Sequence, residues 1–224
     1  MKKLILLGMC LMVLAGGAFA MDKAFGFGIM YNNTSSFATD SYTESYYGYS
    51  YTVTVEEEMR RNGFGAFGFV SLGKMWELNL GFIYKNPYEY IIRFSDSEGD
   101  SETLTINKSE LDQEIDGTLA LQIGVYFKYP IPVSHNIVLF PTAGIDYEKS
   151  LSDDVSKDAN WSFRWWDDLW LRFGAGVDFF INDAMFVRGH LIYGFALPLG
   201  EGADEMYIDY GRGVLLKVGL GWMF

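Results

Sequence analysis

The stretch VLLKVGLGWMF, residues 214–224, decides the fold. Val214, Leu216, Val218, Leu220, Trp222 and Phe224 fall on one face at strict period two. Leu215, Lys217, Gly219, Gly221 and Met223 fall on the other. Period two marks a strand, whose side chains point to opposite faces in turn. One face is wholly apolar, and no residue follows Phe224 to cover it. The reading that accounts for such a face is that its solvent is lipid.

Seven upstream segments share the pattern: 24–32, 62–72, 76–86, 118–129, 137–148, 169–181 and 185–197. In 76–86, Trp76, Leu78, Leu80, Phe82 and Tyr84 alternate with Glu77, Asn79, Gly81, Ile83 and Lys85. In 118–129 the second face is Thr118, Ala120, Gln122, Gly124, Tyr126 and Lys128. In 137–148 it is Val138, Phe140, Thr142, Gly144, Asp146 and Glu148. In 169–181 it includes Trp170, Arg172, Asp178 and Phe180, and in 185–197 Phe186, Arg188 and His190. Segment 24–32 sets Phe25, Phe27, Ile29 and Tyr31 against Gly26, Gly28 and Met30, whereas the facing of 62–72 is ambiguous.

Connections alternate in length. Gly73-Lys74, residues 130–136 and Asn182-Asp183-Ala184 are short; the other links are long and polar. Eight strands of about 9–11 residues, with short turns at one end and long loops at the other, form an antiparallel up-and-down transmembrane β-barrel. Backbone in hydrocarbon must be fully paired, so the last strand closes on the first. A soluble lipocalin-like barrel is the alternative, but its outer face would be the polar one. Mean hydropathy of +0.06 suits a chain that alternates, despite 50% hydrophobic and 17% aromatic residues.

Residues 1–20 read as a cleaved signal peptide: Lys2 and Lys3, an apolar run, then Ala18-Phe19-Ala20. The barrel domain is then 21–224. The single cysteine, Cys10, leaves with the signal, so no disulfide or thiol metal site is expected. Without Lys2 and Lys3, the 17 Lys+Arg become 15 against 29 Asp+Glu, a net charge of −14. That excludes nucleic acid as partner, since phosphates need basic patches.

On these features the chain resembles the small eight-stranded outer-membrane barrels of Gram-negative-type bacteria: the OmpA transmembrane domain, OmpX and OmpW. The resemblance covers about residues 22–224. Its most specific motif is the terminal strand. Leu216, Val218, Leu220, Trp222 and Phe224 match the signal that the barrel-assembly machinery reads in that class. The resemblance implies an outer-membrane location, with outer-membrane lipid and the assembly machinery as partners.

The stretch NWSFRWWDDLW, 160–170, places Trp165, Trp166 and Trp170 in an interfacial aromatic girdle, with Tyr84, Tyr129, Tyr147, Tyr193 and Trp222. YTESYYGYSY, 42–51, is either a Tyr-rich recognition loop or an extended hairpin with Tyr packed across strands. DSEGDSE, 96–102, fails the EF-hand order and reads as part of a solvated acidic loop over 95–117, with no metal site.

Inside the barrel, a turn at 182–184 sets Ile181 opposite Met185, Asp178 opposite Arg188 and Gly176 opposite His190. Lys85, Asp146, Glu148, Arg172 and Lys217 extend this into a lumen charge network. The network is read first as structural, since an unpaired charge there is costly; a charge-exchange gate is the functional alternative. Gly26, Gly28, Gly219 and Gly221 leave room for a cavity at the seam unless Tyr126, Trp170 or Phe180 fills it. Pro141, which cannot donate to a ladder, is a candidate lateral opening of the kind the OmpW resemblance implies.

The chain carries two His, and no Ser stands beside the inward His190, so the expectation is no enzyme and no cofactor. The expected role is structural or surface-interacting, through the long acidic, aromatic loops and host or surface ligands. The alternative is a narrow, porin-like passive channel for small hydrophobic solutes.

Overall fold

The computed structural model describes residues 23–46, 49–97, 99–107, 117–151, 168–198 and 208–224. Residues 1–20, expected to be a signal peptide, and Trp165 and Trp166 lie outside the described residues. Ten strands follow in order: β1 (Ala24–Tyr46), β2 (Tyr49–Leu72), β3 (Trp76–Asp96), β4 (Ser101–Asn107), β5 (Thr118–Lys128), β6 (Ile131–Ser134), β7 (Ile137–Ser150), β8 (Asp168–Asn182), β9 (Met185–Pro198) and β10 (Ile208–Met223). Eight of them, all but β4 and β6, form one closed antiparallel ring.

Closure is made where the terminal stretch predicts it. β10 pairs with β1 from Ala24↔Met223 to Ala38↔Ile208. No ring strand is left with a free edge through the spanning region, so its backbone groups are paired within the protein. The outward face is an apolar belt: Ile29 is 71% exposed, Phe64 67%, Phe27 60% and Val218 53%. Water would make that belt untenable; lipid makes it ordinary. Trp222 lies across the seam from Phe25 and Phe27, with ring centroids 5.7 and 5.5 Å apart. Tyr84, Tyr129 and Tyr193 also face outward. Trp170 does not: it is 2% exposed inside the barrel, which corrects its place in the girdle. Alternation alone had put it on the polar face; cationic neighbours there give its ring a partner.

Three strands run far beyond the expected crossings. β1, β2 and β3 have 23, 24 and 21 residues, about twice what a bilayer needs. With β4 they form a four-stranded extension at the long-loop end. The Tyr-rich stretch is therefore a hairpin, with Tyr42↔Val53 and Thr43↔Thr52 in register. Residues 101–107, expected in a solvated loop, are a strand paired with β3. Gly99, at φ 97°, turns the chain between them. Residues 131–134, expected in a turn, pair with β7.

The transition between lipid belt and extension is marked chemically. Tyr31 donates to Asn62 at 2.8 Å, and Asn33 donates to Asn62 and to Tyr88 at 2.8 and 3.1 Å. At the same level β3 carries a bulge: Arg61 opposes Pro87 while Arg60 opposes Glu89, leaving Tyr88 as the extra residue.

Candidate functional site

Two regions concentrate chemistry: the lumen and the extension. The lumen is built from inward positions of every ring strand. At its short-turn end Glu77, fully buried, is the hub. Lys128 Nζ donates to Glu77 at 3.0 Å, Asn79 donates at 3.0 Å, and Arg188 also donates to it. Arg188 grips Asp178 with two hydrogen bonds of 2.6 Å. Its guanidinium lies 4.5 Å from the Phe69 ring centroid and 4.9 Å from that of Phe186. Flat guanidinium against aromatic faces fills volume as it pairs charge.

Midway along the lumen, Asp146 accepts from Tyr126 Oη at 2.5 Å and from Arg172 Nε at 3.2 Å. Arg172 stacks 4.0 Å over Trp170. Lys217 reaches Asn79 at 3.4 Å and lies over the Tyr126 and Phe67 rings. Nearer the long-hairpin end, Lys85 pairs with Glu148 and lies 5.7 Å from the Trp170 centroid. His190 sits between the Phe140 and Tyr126 rings, at 4.8 and 6.5 Å.

Each residue named for the lumen from sequence is thus buried within the barrel: Lys85, Asp146, Glu148, Arg172, Asp178, Arg188, His190 and Lys217. They form three groups, not one network, and His190 shares no hydrogen bond with any of them. The pairing of Asp178 with Arg188 and of Gly176 with His190 is as the turn implied. The turn itself is shorter than expected: Asn182 pairs with Met185, and the register shift falls between Phe180 and Asn182. Ile181 therefore does not oppose Met185.

The hub Glu77 and its partner Lys128 were absent from the expected network. Alternation had placed both inward. Their pairing spans 51 residues of sequence, and that of Glu77 with Arg188 spans 111. Contacts across a barrel depend on how the ring closes, which no local pattern encodes.

The glycine seam holds no open cavity. Gly26 pairs with Gly221 and Gly28 with Gly219. A Cβ on Gly221 would come within 2.6 Å of Phe186, and one on Gly219 within 3.3 Å of Phe67. The rings that occupy the space belong to Phe67, Phe69 and Phe186, not to Tyr126, Trp170 or Phe180. The sequence left the facing of 62–72 open, so these two phenylalanines could not be placed. At Pro141 the wall is closed on both sides. Pro141 pairs with Ala175 of β8, its carbonyl accepts the Tyr129 N–H at 3.1 Å, and Ile131↔Leu139 resumes pairing beyond. Its missing N–H faces the two residues where the β5 and β6 pairings break, so no paired N–H is lost from the ladder there. Leu216, Val218, Leu220 and Trp222 line the outer face of β10.

The extension has its own charge centre. Glu58, 2% exposed, accepts from Arg60 at 2.7 Å and from Arg93 at 3.0 Å, and Arg60 also reaches Glu89 at 2.5 Å. Burial pushes the Glu58 carboxyl up, but the two arginines outweigh that and hold it below its ordinary value.

No family model and no curated protein matches the chain by sequence. Among solved structures, it is similar to the outer membrane protein OprG of Pseudomonas aeruginosa: 13% identity, TM-score 0.42, covering 92% of this chain and 96% of that one. It is also similar to the N-terminal β-barrel domain of Pseudomonas aeruginosa OprF: 10% identity, TM-score 0.37, covering 89% and 99%. The fold assignment rests on the strand register and the apolar belt, not on these likenesses.

Proposed function

We propose that the protein is an integral outer-membrane barrel whose barrel is a structural anchor and whose working surface is the four-stranded extension. One observation carries this reading: the lumen is filled. Glu77, Asp146, Arg172, Arg188 and Lys217 are each no more than 1% exposed, and Phe67, Phe69, Phe140 and Phe186 pack among them. Eight strands enclose a space just wide enough for side chains, and here side chains take it. A passive path for hydrophobic solutes would need either an open axis or a wall gap; the closed pairing at Pro141 weighs against the second. By contrast, the extension exposes Tyr42, Tyr49, Tyr51, Phe94 and Leu104.

Two measurements test the proposal together. In a planar bilayer the folded protein should be electrically silent; reproducible conductance steps would restore the channel reading. Deleting residues 42–53, which removes the hairpin tip, should abolish binding to cells or matrix. Heat-modifiable gel mobility should persist in that variant. Unchanged binding would contradict the surface role.

A further inference from the structure

The extension turns its apolar side inward. The β1–β2 register runs without a shift from Ala24↔Ser71 to Tyr46↔Tyr49. Odd positions of β2 therefore stay on the face of Phe67 and Phe69 all the way up. Cross-strand partners share that face: Val55 opposes Phe94, Glu57 opposes Ile92, and Met59 opposes Tyr90. Ile92 opposes Leu104, and Tyr90 opposes Ile106. The bulge at Tyr88 is what brings the even positions of β3 to this side. Val53, Val55, Ile92, Phe94, Leu104 and Ile106 thus form a continuous apolar surface above the barrel mouth. Phe94 and Leu104 are 38% and 50% exposed.

The same face is acidic. Asp40 opposes Val55, Asp96 opposes Val53, Glu102 opposes Phe94, and Glu57 stands between Ala38 and Ile92. Among the described residues of this face, Arg61 at its base is the only cation. Apolar side chains interspersed with carboxylates complement one chemistry: apolar residues interspersed with Lys or Arg.

We propose that the inner face of the extension docks a cationic amphipathic peptide segment. The apolar surface takes the partner's apolar side chains. Asp40, Glu57, Asp96 and Glu102 meet its cations and steer its approach. This rests on the surface-interaction reading and names the partner's chemistry.

The test uses the full protein, purified from its cell envelope and reconstituted in phosphatidylcholine nanodiscs. The probe is a fluorescein-labelled peptide of alternating leucine and lysine blocks, read by anisotropy against empty nanodiscs. Binding should exceed that of empty discs and weaken with salt. Phe94→Ser should weaken it about tenfold or more, through lost apolar contact. Glu57→Gln with Glu102→Gln should weaken it about threefold or more. Glu56→Gln, which removes one charge from the outer face, should change it less than about twofold. Gel mobility shows which variants fold, and the two inner-face variants back each other up.

Binding equal to empty discs overturns the proposal, as does equal binding of a leucine–serine peptide, or loss in Glu56→Gln as large as in the inner-face pair. A dimer whose cross-links map to Phe94 and Leu104 overturns it in favour of a second copy. If the peptide fails while deletion of 42–53 still abolishes surface binding, only the partner's chemistry is wrong. If that deletion leaves surface binding intact, the surface reading itself fails.

Discussion

Strand β2 keeps one unbroken register with β1, yet its two halves sort their residues differently between the faces. In its barrel half, Phe64 and Val70 point out, and Phe67, Phe69 and Ser71 point in. In its upper half, Glu56, Glu58 and Arg60 point out, and Val53, Val55 and Met59 point in. No parity change in β2 separates them; only the surroundings do. Below the Tyr31–Asn62–Asn33–Tyr88 collar the outer face meets lipid and the inner face is a charged lumen. Above it the outer face meets water, and the apolar side turns inward as in an ordinary soluble sheet. Facing is set by solvent, and one strand can serve two solvents if its pattern changes where the solvent does.

Four perturbations break or sharpen this contrast, taken from the largest effect down except that Ser41→Arg stands beside the lipid-belt variant it is compared with. Arg188→Ala removes both hydrogen bonds from Asp178 and one of the two cations from Glu77, which keeps Lys128. It should destabilise the barrel by about 3–5 kcal/mol, the usual effect of removing one partner from a buried pair, read by denaturant unfolding in detergent. Val218→Arg, on the lipid belt, should cost about 2–4 kcal/mol in the same assay if it lies near the bilayer midplane. Ser41→Arg, on the outer face of the extension, should stay within about 0.5 kcal/mol. Equal costs at these two positions would break the contrast. Phe25→Ala removes the stack on Trp222 across the closing seam, and should lose about 0.5–1.5 kcal/mol beyond the area effect.

The smallest effect is local and depends on pH. Glu58 titrates below its ordinary value of 4.5 because Arg60 and Arg93 outweigh its burial. A depressed folded value means that its contribution is fully present above about 4.5 and is lost as pH falls through the lowered value. Protection factors for the amides of residues 89–93, taken against the intrinsic rate at each pH, should therefore be high at neutral pH and fall in acid. Glu58→Gln should flatten that dependence.

Much of the barrel was legible because period two is a local signal. Each spanning strand, the lipid face of all but 62–72, and the Asp178–Arg188 pair followed from alternation and one short turn. What escaped was non-local or weakly patterned. Glu77 looked like one inward carboxylate among several, and its role as hub depends on strands that meet only when the ring closes. The Phe67 and Phe69 rings sit among glycines and alanines, where both faces of the segment look apolar. β4, with its Thr, Leu and Ile between acidic stretches of sequence, reads as a loop until the Tyr88 bulge sets its neighbour's facing. Trp170 was misplaced because indoles favour interfaces in general, while this one is held under Arg172.

The most direct test is a single-cysteine scan along β2, residues 53–70. The only native cysteine is Cys10, so Cys10→Ser gives a background in which each introduced thiol can carry a spin label. Accessibility is then measured to oxygen, which concentrates in lipid, and to a water-soluble nickel chelate. Even positions from 64 to 70 should favour oxygen and those from 54 to 60 nickel, with the switch at Asn62. Oxygen preference continuing through 54–60 would place the extension in the bilayer and contradict the account.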